Sequence, residues 1–150
     1  MIFDWLKKRR RAKILATPFP SHWNEIICDN VAHDHTLTPE QRQRLRRLVQ
    51  VFVAEKNWEG CGGLTLTDEI KLTIAAQACL LVVGMEEEIL FDHVLSILVY
   101  PTGYVAPGTH ISRAGLVMEG GQPRLGEAWW RGPVILSWSD AKSGGRRETP

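Results

Sequence analysis

From Ile70 to Val83 every position is apolar except Lys71, Thr73 and Gln77. A helix that is apolar on nearly all sides belongs inside a protein or inside a membrane. This run is too short to cross a bilayer, which takes about 20 apolar residues, and Gln77 interrupts it. The pattern therefore predicts a central, buried helix. Thr67 suits its N-cap, and Asp68 and Glu69 follow where the helix dipole favours negative charge. Gly84 is the expected C′ stop.

A second helix is announced by Thr38-Pro39-Glu40-Gln41, a capping box with proline at the first helical position. Leu45, Leu48, Val49, Phe52 and Val53 make its apolar stripe, and the helix is expected to end near Lys56. Arg42, Arg44, Arg46 and Arg47 lie mostly off the stripe, which reads as a solvated face. Earlier in the chain, Ser21 is the expected cap of a short helix with Trp23, Ile26 and Ile27 on one face. Asn57–Gly63 reads as a tight glycine-rich connection, where glycine permits positive φ or close backbone approach. Later the pattern changes. Glu86–Phe91 suits a short acidic helix, whereas Val94–Tyr100, Leu116–Glu119 and Pro133–Trp138 read as strands, with Tyr104–Val105 opening another extended piece. Helices first and strands second predict an α+β fold: N-terminal helices including the buried central one, then a small mixed or antiparallel sheet.

The 150 residues fit one domain. The formal net charge of +1 argues against a general nucleic-acid binder, but it hides an asymmetry. Six of the 18 basic residues fall between Lys7 and Lys13, and residues 14–150 keep 12 basic against 16 acidic, a net of −4. Residues 1–13 are thus a basic N-terminal arm, expected to be a solvated tail or, alternatively, a short helix that meets an anionic partner or membrane surface. Residues 14–150 are expected to form a single α+β domain. The three cysteines, Cys28, Cys61 and Cys79, form no CxxC and suggest neither a disulfide framework nor a zinc ribbon. No apolar stretch of signal-peptide length follows the basic residues, and a cytoplasmic protein is expected.

Local chemistry is sparse. His22, His33, His35, His93 and His110 include no HExxH, the spacing that sets two imidazoles on one helical face around zinc. His33 and His35 flank Asp34 with no third ligand nearby, so polar surface is the expected role. Gly60-Cys61-Gly62-Gly63 matches neither a Walker loop nor a dinucleotide fingerprint, and no base is evident that would activate Cys61. Glu86, Glu87 and Glu88 point different ways around a helix, and Trp129 and Trp130 are expected to pack rather than stack on a ligand.

Several longer stretches nevertheless carry a resemblance. RRRAKILATPFPSHWNEII, TLTPEQRQRL, WEGCGGLTLTDE with AAQACLL, ILVYPTGYV and GEAWWRGPVILSWSDA follow one another over residues 9–141. In this order they resemble the Mlc titration factor A family of bacterial zinc-dependent peptidases. The resemblance implies the N-terminal scaffold of a zincin-like metallopeptidase. In that family an HExxH helix closely follows the segment matching SWSDA, and zinc there activates a water. Here Lys142–Pro150 follow that segment, so no catalytic, cofactor-binding or metal-binding residue carries over to this sequence, and the domain is expected to be incomplete at its C-terminus. Zinc and a peptide substrate are implied for the full-length family, with no zinc expected for this chain alone. Activity of the isolated chain is not expected. The alternative is a non-catalytic module that binds a transcriptional repressor of the Mlc type. No direct nucleic-acid contact and no membrane span are expected, while self-association through exposed apolar surface is.

Overall fold

The computed structural model describes residues 2–85, 94–102, 110–111, 116–118 and 133–146. The expected helix at Glu86–Phe91, the extended piece at Tyr104–Val105, and His93, Trp129 and Trp130 lie outside the described residues. Four helices come first or alternate with the first strand: α1 (Ile2–Leu15), α2 (Ser21–Asn30), α3 (Pro39–Glu55) and, after strand β1 (Asn57–Gly60), α4 (Asp68–Leu80). Strands β2 (Ser96–Tyr100), β3 (His110–Ile111), β4 (Leu116–Met118) and β5 (Val134–Ser137) follow, and α5 (Trp138–Arg146) continues directly from β5. A 3-10 helix, Ala32–Thr36, joins α2 to α3.

The fold class is α+β and the sheet is mixed. Its order is β1-β2-β5-β4-β3. β1, β2 and β5 run parallel, while β4 lies antiparallel to β5 and β3 antiparallel to β4. Parallel neighbours need a long crossover, and α4 lies within the one between β1 and β2. β1 was legible only as a connection. Its four residues, Asn-Trp-Glu-Gly, show no strand-like apolar run, and they become a strand because β2 offers its edge.

The core forms around α4. Leu72, Thr73, Ala75, Ala76 and Cys79 have no exposed surface, and α4 packs against α2, α3 and α5. Thr67 caps it by accepting a hydrogen bond from Ile70 N at 3.3 Å. The helix ends at Leu80, short of the expected stop at Gly84. Leu81–Gly84 form turns closed by three-residue hydrogen bonds, Leu81 N to Ala78 O and Val82 N to Cys79 O, and these bury Val82 and Val83. Burial of two valines decides the path there, each worth roughly 1.5–3 kcal/mol.

α3 starts as its sequence requires. Thr38 Oγ1 accepts from Gln41 N at 3.2 Å, and Gln41 Oε1 accepts from Thr38 N at 3.0 Å. α2 departs from expectation: Pro20 is its N-cap, Ser21 is already helical, and no side chain caps it. The basic segment is also not a loose tail. It is helical, and Arg11, only 8% exposed, places Nε and Nη2 each 2.9 Å from the Glu55 carboxylate. Gln50 Nε2 donates to the carbonyls of Ile14 and Thr17. A bidentate ion pair and these polar ties hold the C-terminal half of α1 on α3, overriding the mobility expected of a chain end.

Candidate functional site

Because β1, β2 and β5 are parallel, their carboxyl ends lie side by side. Gly60 pairs with Val99, and Tyr100 with Ser137. Ligands of open α/β sheets lie outside such carboxyl ends, so this edge is the candidate site. Three segments build it: the Cys61–Gly63 loop, Tyr100-Pro101, and the β5–α5 junction. Gly62 and Gly63 have φ of +63° and +83°, a conformation that favours glycine. A Cβ on Gly62 would also lie 3.2 Å from Pro101 Cδ and 3.4 Å from Tyr100 Cδ1. The loop is anchored by Cys61 N donating to Val99 O at 2.8 Å. At the junction, Ser139 N donates to Pro101 O at 3.2 Å, and the hydroxyls of Ser137 and Ser139 lie 3.1 Å apart.

The site thus offers hydroxyls, a thiol and backbone groups. Burial pushes the Cys61 thiol up from its ordinary value; the Glu59 charge adds to this, and hydrogen bonds with Tyr100 and Val99 oppose it. A protonated thiol is a poor nucleophile. The other cysteines offer no better one. Burial and then Asp34 raise Cys28, and burial pushes Cys79 up to about 12.

Among the described residues, His22, His33 and His35 do not come together in any cluster of three metal-ligating side chains. His22 is exposed, with Nε2 3.5 Å from Asp68 Oδ2. His35 Nε2 sits 3.0 Å from Cys28 O, and His110 belongs to β3. Between His33 and His35, Asp34 turns inward with no exposed surface. Arg46 Nη1 donates to Asp34 Oδ1, and Nη2 donates to Asp34 Oδ2 at 2.9 Å. Arg42 Nη2 donates to the Asp34 carbonyl at 3.1 Å. The solvated-face reading therefore fails for Arg46, which is 8% exposed. Its partner lies 12 residues upstream in another element, beyond the reach of any spacing rule.

Behind the site, α5 seats against α2 and α4. Gln77, the one polar interruption late in α4, donates from Nε2 to Ala141 O at 2.6 Å. Asn30 Nδ2 donates to Thr73 Oγ1 at 3.1 Å. A Cβ on Gly145 would sit 2.5 Å from the Asn30 carbonyl oxygen and 3.0 Å from Gln77 Nε2. The backbone oxygen cannot swing away, so Gly145→Ala is expected to lower stability by about 1–3 kcal/mol, the usual overpacking range. Urea denaturation would measure this, and an unchanged midpoint would show that α5 is not seated this tightly. Beside the junction, Phe52, Ile74, Leu81, Val94, Ile97 and Leu136 line an apolar cavity of about 280 Å³.

Among the described residues, no three His, Cys, Asp or Glu side chains come together as a metal site. The described residues do not fit a zinc ion. No described helix is long and apolar enough to cross a membrane.

Comparison with known proteins gives relatives by sequence. Over 136 residues the chain is 35% identical to an uncharacterized protein of Synechocystis sp., covering 90% of this chain and 48% of that protein. It is 32% identical over 119 residues to Mlc titration factor A of Klebsiella pneumoniae, covering 79% and 43% of the two chains. With Mlc titration factor A of Yersinia enterocolitica the identity is 26% over 136 residues, covering 91% and 48%. The chain spans about half the length of the curated relatives it matches. Residues 5–150 match the glucose-regulated metallo-peptidase M90 family, and the chain belongs to that family.

Proposed function

We propose that these residues are the N-terminal scaffold of a zinc-dependent peptidase acting in the cytoplasm. The observation that carries this reading is the family match over residues 5–150. On this reading the scaffold supplies the mixed sheet and seats α5, while hydrolysis depends on an HExxH helix, a motif these 150 residues do not contain. The chain's own contribution is positional. Gln77 and Gly145 hold α5 against α4, and the Ser137–Ser139 turn fixes how the chain leaves β5.

The test compares this 150-residue chain with the native protein purified from its source cells. Each is assayed for zinc by atomic absorption and for cleavage of a quenched fluorescent peptide. The expected result is stoichiometric zinc and chelator-sensitive cleavage in a native protein larger than 16.9 kDa, and neither property in the 150-residue chain. Chelator-sensitive cleavage by the 150-residue chain would overturn this division of roles. So would a native protein with neither zinc nor activity.

A second reading is a module that binds a transcriptional repressor of the Mlc type. It draws on the name of the relatives, Mlc titration factor A. It draws also on exposed apolar side chains, Leu81 at 74%, Leu95 at 54% and Met85 at 48%. Leu81 lines the apolar cavity, as does Val94, the residue before Leu95. Binding of a purified Mlc-type repressor that Leu81→Asp abolishes would support it. The same surface can instead join copies of the chain, which light scattering would reveal.

A further inference from the structure

We infer that α1 is a surface anchor for a membrane carrying anionic phospholipid: its N-terminal end presents apolar side chains, and a basic collar follows them. α1 is 14 residues long, and Arg11, Ile14 and Leu15 hold its C-terminal half to the body. From Asp4 to Arg10 only Lys7 is even half-buried. Trp5 is 57% exposed and Leu6 45%. Ile2 and Phe3 lie one turn before them in the same helix. At 1.5 Å per residue, the stretch before Arg11 extends about 13 Å beyond the docked half.

The side chains are sorted along the helix rather than around it. Ile2, Phe3, Trp5 and Leu6, interrupted by Asp4, fall in its first turn and a half, and Lys8, Arg9, Arg10 and Lys13 follow as exposed cations. Arg9 lies over the Trp5 ring, 5.3 Å from its centroid, so a cation accompanies the indole. An indole with a neighbouring guanidinium suits the headgroup layer, where the ring meets acyl chains and the cation meets phosphate. Apolar burial and attraction to anionic lipid then act together.

Charge favours a lipid surface over a nucleic acid. Residues 14–150 carry a formal net charge of −4, so a polyanion running along the body would meet repulsion. A bilayer touched by the end of α1 meets mainly the basic helix. Leu6 and Trp5 also gain more from an acyl phase than from a phosphate backbone. An anchor of this kind is peripheral and reversible, and it needs no spanning helix.

The test is co-sedimentation of the full chain with vesicles. Phosphatidylcholine mixed with phosphatidylserine is compared with phosphatidylcholine alone, at low and high salt. Binding is expected to the anionic vesicles and to weaken with salt. Lys8→Gln/Arg9→Gln/Arg10→Gln is expected to reduce partitioning on the order of 100-fold. Trp5→Ala/Leu6→Ala is expected to reduce it about 10-fold or more. These side chains are exposed, so both variants should keep the parent's circular dichroism and unfolding midpoint. Failure to bind anionic vesicles, or equal binding to neutral ones, would overturn the proposal. So would insensitivity to the Trp5/Leu6 pair, particularly if single-stranded RNA bound more tightly, which would make the basic collar a nucleic-acid surface.

Discussion

Asp34→Ala is expected to destabilise the fold by about 3–5 kcal/mol, because it leaves the Arg46 guanidinium buried without its counter-charge. Asp34 has no exposed surface, and Arg46 is held by both carboxylate oxygens. The size of the effect comes from the charge left behind, not from the intrinsic strength of the pair. The double replacement Asp34→Ala/Arg46→Met is therefore expected to recover much of the loss, since it removes both charges and keeps an apolar chain at position 46. Urea denaturation of the two single variants and the double would decide it. Additive losses would mean that the guanidinium is not stranded.

The same pair sets an acid limit. Burial, the largest single influence, pushes the Asp34 carboxyl up, but hydrogen bonds and charge from Arg46, with Arg42 and Cys28, more than offset it and hold the carboxyl below the usual range. A carboxyl that is more acidic folded than unfolded stabilises the fold in full above its unfolded value, about 4. That contribution is lost as pH falls through the lower, folded value. Stability of the parent chain should thus fall below about pH 4 more steeply than that of Asp34→Ala. Parallel acid profiles would show that the pair does not govern this window.

Leu72→Ala is expected to cost about 2–5 kcal/mol. Leu72 has no exposed surface and sits in the middle of α4, with α2, α3 and α5 packed around that helix. Alanine is an excellent helix former, so the loss would come from burial and the cavity left behind, not from helix propensity. Leu81→Ala is the control. Leu81 belongs to the same apolar run but is 74% exposed, and its replacement should change stability by less than about 0.5 kcal/mol. Similar losses at the two positions would mean that the end of α4 is buried after all.

Much of the scaffold was legible because it rests on local rules. The Thr38–Gln41 box, the Thr67 cap, the apolar stripe of α3 and the strands at Ser96–Tyr100 and Val134–Ser137 all depend on residues near each other in sequence. The family resemblance was legible for the same reason, since long contiguous stretches carry it. Asp34 was harder to read. The flanking His33 and His35 read as polar surface, which gives Asp34 no role, and only a partner on another helix makes its burial tolerable.

The sequence by itself determined where α3 and α4 start, that α4 must be buried, and that β2, β4 and β5 follow these helices. Each is a matter of hydrogen-bonding groups and apolar periodicity within a few residues. Tertiary structure decided what no window contains. It turned Asn57–Gly60 from a connection into a strand by offering the β2 edge. It seated α5 through Gly145, whose missing side chain matters only because the Asn30 carbonyl stands there. It drew the carboxyl ends of β1, β2 and β5 together as one edge, because parallel strands pair only across long crossovers that no local window spans.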